Sequence, residues 1–179
     1  MRPDGTRVRD LTAIMQALPY VMPKRYDAQN WAEEYLDEDA IRDYIRAKRR
    51  EGRTVTHMSL LVSAYYRAVL KNPKINYFVM NRRIYKRNHF CFSFVILKTR
   101  ADGTPDETSL KVYLEPEDTV FTVTEKIRST IEKNQNIQHN NDTDRFAKFV
   151  FGVPGLARAV FGLAGFLDRH NLLPKSIIE

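Results

Sequence analysis

The sequence predicts an α/β domain, a two-layer sandwich in which helices stack on a mixed β-sheet. Three observations predict it. The hydrophobic period is helical over residues 38–51 and 56–71, falls to two over much of 76–114, and becomes helical again after Pro116. Residues 89–98 carry Phe90, Phe92, Phe94, Val95, Ile96 and Leu97 in a near-continuous apolar run, the pattern of a central strand covered on both faces. The 179 residues are 43% hydrophobic and 28% charged, with only 7 Gly and 8 Pro. That is one domain's length with enough apolar material for a core, which excludes a disordered or collagen-like chain. Residues 1–179 therefore read as a single domain.

Each element has its own warrant. In order, the chain reads α, β, α, α, β hairpins, α, α. Residues 28–36, mixing Trp31, Ala32 and Tyr35 with polar side chains, read as a strand. Asp37 is a good N-cap for a helix over 38–51, with Glu38 and Asp39 at its positive end and arginines near its negative end before Gly52. Ile41, Tyr44, Ile45 and the stem of Lys48 form one stripe of it. Thr56 caps the next helix, which Asn72-Pro73 ends. Met58, Leu60, Leu61, Val62, Ala64, Tyr65, Ala68 and Val69 cover more than one face, so this helix is expected in the core with neighbours on several sides.

Asn81-Arg82-Arg83 reads as the turn of a short hairpin between 76–80 and 84–85. The stretch 101–106 turns the chain into a returning strand at 109–114, where Leu110, Val112 and Leu114 alternate. Thr122-x-x-Glu125 has the spacing of a capping box, although a start near Thr119 also fits, and Val123, Ile127 and Ile131 share a face. A loop over 135–142, a helix over 143–151 and a last helix opening at Pro154 and reaching about residue 168 complete the reading.

Function is less legible. The net charge of +7 would suit an anionic partner. Much of it is local, however, because Glu33, Glu34, Asp37, Glu38, Asp39 and Asp43 run directly into Arg46, Lys48, Arg49, Arg50 and Arg53. One cysteine, Cys91, allows no intrachain disulfide, and no Cys/His spacing marks a metal site. The N-terminus lacks a secretory pattern, and Lys148, Gly152, Pro154 and Arg158 interrupt the apolar stretch 146–167 short of the ~20 residues of a membrane span. A reducing, cytoplasmic setting is the expectation.

Of the histidines, His57 lies in a helix's first turn, His89 opens the apolar strand, His139 sits in an Asn-rich loop and His170 at a helix C-terminus. None is paired with a second histidine. No Gly-x-Ser-x-Gly elbow, phosphate-binding glycine loop or His-Glu-x-x-His string is present. Cys91, inside Phe90-Cys91-Phe92-Ser93-Phe94, reads as a small buried hydrophobe rather than a nucleophile. Arg82, Arg83, Lys86 and Arg87 interleave with Tyr77, Phe78, Tyr85 and Phe90. A solvated hairpin edge explains the mixture most simply, with single-stranded nucleic acid or a cofactor's phosphates as alternatives.

The string Met22-Pro-Lys-Arg-Tyr-Asp-Ala28, the helices 37–50 and 56–70, the following Asn72-Pro73-Lys-Ile-Asn76, and Glu115-Pro-Glu-Asp-Thr119 together resemble one family. It is the catalytic domain of the 2-oxo acid dehydrogenase acyltransferases, the dihydrolipoyl acyltransferases, which share the chloramphenicol acetyltransferase fold. The likeness spans about 7–178 and includes Leu172-Leu-Pro-Lys-Ser176. It implies a mixed sheet flanked by helices and trimeric packing with a site between subunits. It also implies acyl transfer between coenzyme A and a thiol or hydroxyl acceptor such as a lipoyl arm, without a metal. In that chemistry a histidine deprotonates the acceptor and a hydroxyl donor stabilises the tetrahedral oxyanion.

The family's His-His-x-x-x-Asp-Gly motif is not in this sequence. Arg169-His170-Asn171 and Gln138-His139-Asn140 lack its second His, its Asp and its Gly, so neither inherits the catalytic role. Only Arg25 matches a site position, the arginine that braces the motif's aspartate, and a surface arginine leading into a strand explains it equally. The expectation is an N-terminal portion of an acyltransferase, or a degenerate homologue that uses the fold for assembly, with little or no turnover.

Overall fold

The computed structural model describes residues 2–99, 103, 105–135 and 149–174. The chain opens with a short strand, β1 (Gly5–Arg7), and a helix, α1 (Ala13–Val21), whose cap Thr12 accepts from the Met15 backbone N–H. After a single turn of 3₁₀ helix at Arg25–Ala28, the expected strand over 28–36 does not form. Trp31 is 90% exposed, and with Tyr35 and Leu36 it lies open to solvent. An apolar and polar alternation makes a strand only when a partner pairs its backbone, and the described residues offer this segment none.

The two helices that follow match their sequence signals. In α2 (Glu38–Arg50) the Asp37 carboxylate accepts from the Asp39 and Ala40 N–H groups, and Ile45 is the buried residue of the predicted stripe. In α3 (His57–Lys71) Thr56 and Ser59 cap one another reciprocally. Its core is one-sided: Val62, Tyr66 and Val69 are buried while Leu61, Tyr65 and Leu70 face solvent, which corrects the expectation of neighbours on several sides.

Two hairpins come next, β2 (Tyr77–Met80) with β3 (Arg83–Arg87) and β4 (Phe90–Thr99) with β5 (Pro105–Leu114). β1 adds to the free edge of β3, giving a three-stranded sheet in the order β1-β3-β2, while β4 and β5 form a sheet of their own. Every described pairing is antiparallel, not mixed. Nor is β4 a central strand. Phe92, Phe94 and Ile96 turn inward, but Ser93, Val95 and Leu97 on the opposite face are exposed. The pleat alternates faces regardless of composition, so an apolar run need not be buried on both sides.

α4 (Val120–Gln135) is capped by Thr119 and Thr122, whose hydroxyls each accept from the other's backbone N–H. The box is therefore Thr119-x-x-Thr122 and not Thr122-x-x-Glu125; Glu125 instead pairs with Arg128. The last helix, α5 (Leu156–Arg169), starts after Gly155, whose φ of 82° reverses the chain, so Pro154 precedes the helix rather than opening it. The loop 136–142 and most of the expected helix 143–151 lie outside the described residues.

One apolar core joins α3, α4 and the β4–β5 hairpin. Val62, Tyr66 and Val69 of α3 and Val123 and Ile127 of α4 pack on Phe90, Val112 and Leu114 of the β4–β5 hairpin. Two polar contacts fix the layer's register. Tyr66 donates its hydroxyl to the Leu114 carbonyl at 3.2 Å, and Thr124 donates to Ser59 Oγ at 2.8 Å across the helix pair. Helices on a sheet thus hold as the coarse architecture, in a mixed α/β chain with small antiparallel sheets.

Candidate functional site

The cleft with the most concentrated charge lies where β1, α1 and the β2–β3 turn meet. It has a volume of about 660 Å³ and is lined by Arg7, Arg9, Gln16, Tyr20, Arg82 and Arg83 among others, with no carboxylate among its described lining residues. Local structure explains each placement. The Val8 N–H donates to the Ile84 carbonyl at 3.0 Å, which carries the β1 chain along β3 past its last paired residue. Alternation along extended chain then sends Arg7 and Arg9 to the same side. Thr12 stops the extension and starts α1, which brings Gln16 and Tyr20 to the far wall.

The two remaining arginines come from a tight turn. Asn81 and Arg82 both have positive φ, 48° and 58°, as a two-residue type I′ hairpin requires. Glycine is the usual second residue of such a turn, and a side chain with a Cβ is strained there by about 1–3 kcal/mol. Arg82 occupies that position and lays its guanidinium over the Tyr20 ring, 5.2 Å from the centroid.

Beside the hairpin, Arg2 and Arg87 engage its aromatic residues. Arg2, its side chain 3% exposed, donates to Asp4 at 2.8 Å and to the Asp168 carboxylate of α5 at 2.9 Å. Its guanidinium sits 5.4 Å from the Phe78 ring centroid and 5.9 Å from that of Tyr85. Arg87 covers Phe78 at 4.6 Å. Burial pushes the Asp4 carboxyl up, but the Arg2 hydrogen bond and charge, its own backbone and Arg87 together bring it below its ordinary value. Gly5 is required here because a Cβ would lie 2.7 Å from Phe78 and 3.0 Å from the Lys86 carbonyl oxygen. Three of the four aromatics that looked available for stacking bases are occupied: Tyr85 and Phe90 are buried, and Phe78 is engaged by two arginines.

A second cleft, about 410 Å³, lies between the α2–α3 connection and α4. Arg53 lies over Phe121 at 4.7 Å, as Arg82 does over Tyr20 at 5.2 Å, and Arg128 pairs with Glu125 and Glu132 inside the cleft's own wall. Close by, Lys126 holds Asp118 at 2.6 Å. Burial pushes Asp118 up, but the Glu115 N–H, Lys126 and Thr122 bring it below the usual carboxylate range.

The other sequence candidates do not converge. Arg25 lies exposed in the 3₁₀ turn, not leading into a strand. His57 is exposed at the start of α3, His89 meets the edge of the Tyr113 ring at 5.0 Å, and His170 lies against Phe166 at the end of α5. His139 lies outside the described residues. Cys91 is half-buried on the outer face of β4 opposite Tyr113, not in the core. Sequence reasoning missed Arg7 and Arg9; their alternation ahead of Thr12 was the available signal. Among the described residues, no group of three or more His, Cys, Asp or Glu could hold a metal, and no helix is long and apolar enough to cross a membrane. Compared with protein-family models, curated proteins and solved structures, the chain gives no match.

Proposed function

We propose that the chain is an acyltransferase-type domain of the 2-oxo acid dehydrogenase family, handling a coenzyme A thioester and lacking its own general base. One observation supports the reading: the strings that resemble the family fall in order on the helices α2 and α3 and on the turns around them. Residues 22–28 form the turn before α2, 37–50 and 56–70 are α2 and α3 with their caps, 72–76 is the 3₁₀ turn into β2, and 115–119 leads into α4. In this reading Arg25 braces the aspartate of a His-His-x-x-x-Asp-Gly segment that the sequence does not contain. Acetyl coenzyme A and dihydrolipoamide incubated with the purified chain are expected to release no thiol above background. Adding a polypeptide that carries the family's histidine segment is expected to start release, and silence in both cases rejects the reading.

A second reading, an assembly module without turnover, is favoured by uncovered apolar surface. Leu97 and Val95 on the outer face of β4, and Phe161, Leu163 and Phe166 on α5, are all more than half exposed. Apolar side chains left uncovered on two separate elements are candidates for burial against another chain. Sedimentation of the chain at micromolar concentration is expected to give a self-associated species, trimeric if the family's packing holds; a stable monomer counts against assembly.

A further inference from the structure

We propose that the cleft between β1, α1 and the β2–β3 turn binds a small ligand bearing clustered phosphates, of nucleotide or oligophosphate size. Three independent features point there. The first is charge without compensation. Arg2, Arg42, Arg46 and Arg128 each stand beside a carboxylate, whereas Arg7, Arg9, Arg82 and Arg83 share a cleft whose described lining has none. Guanidinium forks match phosphate oxygens two at a time, and four of them at one opening repel each other until an anion enters.

The second is the strained Arg82. Glycine would make the same turn at lower backbone cost; the arginine there instead lays its guanidinium over Tyr20 at the mouth of the cleft. The third is size. A volume of about 660 Å³ falls within the roughly 300–1,000 Å³ of small-molecule sites and is roomy for a lone phosphate. The rigid parts of the site are good ones, because Arg83 belongs to β3, the middle strand of its sheet.

The inference is independent of acyl transfer. Coenzyme A is one source of such phosphates, a nucleoside triphosphate another and free oligophosphate a third, and the experiment separates them. Titration calorimetry of the full chain with inorganic tripolyphosphate, ATP and coenzyme A, in 0.1 M salt, is expected to give saturable one-to-one binding of at least one. The tightest of the three names the source. Arg82→Gly, which relieves the turn, and Arg83→Gln are each expected to weaken it about tenfold or more. The paired control Arg46→Gln with Arg128→Gln, removing two charges elsewhere, leaves it within twofold. Because Arg82→Gly is expected to keep or raise the melting temperature, lost binding cannot be lost folding. No saturable binding, equal binding by the Arg82 and Arg83 variants, or binding confined to a single-stranded oligonucleotide overturns the proposal. Thiol release plays no part in this readout, so failure of the site and failure of the acyltransferase reading are separate results.

Discussion

The helix layer on β4–β5 and the three-stranded unit around β3 are held together by different physics. In the first, α3 and α4 bury Val62, Val69, Val123 and Ile127 against Phe90, Val112 and Leu114, with Val123 completely inaccessible. Its polar contacts, such as Thr124 to Ser59, trim an interface that apolar area already stabilises. The second has little apolar core: Tyr85 is its buried aromatic, and a buried arginine bridges two carboxylates while facing two rings. Such an arrangement adds little net stability relative to an apolar equivalent, but it tolerates few alternatives, because breaking it strands a charge. The layer supplies cohesion; the charged unit supplies geometry for the arginine cleft beside it.

The sharpest way to test that division is to remove the apolar anchor of the layer. Phe90 is buried with its ring 4.8 Å from that of Tyr66. Phe90→Ala is expected to cost about 3–5 kcal/mol, read as a lower urea midpoint with an unchanged slope. Next in size is Arg2→Met, expected to cost about 3 kcal/mol because Asp4 loses its partner in a largely dry position. Hydrogen exchange distinguishes the two regions: Phe90→Ala should speed exchange everywhere, while Arg2→Met should speed it first in β1 and at the end of α5. If Arg2→Met instead loosens α3 and α4 equally, the two regions are one cooperative unit.

The same contrast explains what the sequence made legible. Helix α3 was readable to the residue because its signals are local: Thr56 and Ser59 cap it, and Asn72-Pro73 ends it. The β2–β3 turn was readable in place for the same reason, although Arg83, expected in the turn, opens β3, which runs on to Arg87. What failed depends on partners distant in sequence. Residues 28–36 had the alternation of a strand without a strand to pair with, and the outer face of β4 is apolar without being covered. For the cleft, Arg82 and Arg83 were visible as a basic cluster, but only the pairing of Gly5 with Arg87 and Arg7 with Tyr85 brings Arg7 and Arg9 beside them. β1 is three residues long, too short for any periodicity to announce it. Arg25 was legible only through resemblance, and its exposed turn shows no contact that would assign it a role.

Acid provides the gentlest probe of the difference, since Asp4 belongs to the charged unit and Asp118 to the layer. Both carboxyls lie below their ordinary value of 3.8 in the folded chain. A depressed folded pKa means that the unfolded chain binds the proton first, so this contribution is complete above about pH 5 and is lost as pH falls from there through the folded values. Stability should therefore be flat on this account from pH 7 to 5 and decline below 4. Arg2→Met weakens this effect for one residue. Without the guanidinium, burial still raises Asp4 while its backbone hydrogen bond and Arg87 still lower it, so its depression shrinks and less stability is lost there on acidification. The gap in urea midpoint between the parent chain and Arg2→Met is then expected to narrow as pH falls from about 5 to 3. A gap that stays constant across that range would mean that the Arg2 contact with Asp4 is not electrostatic in its effect on folding, and that Phe78 and Tyr85 hold Arg2 by packing alone.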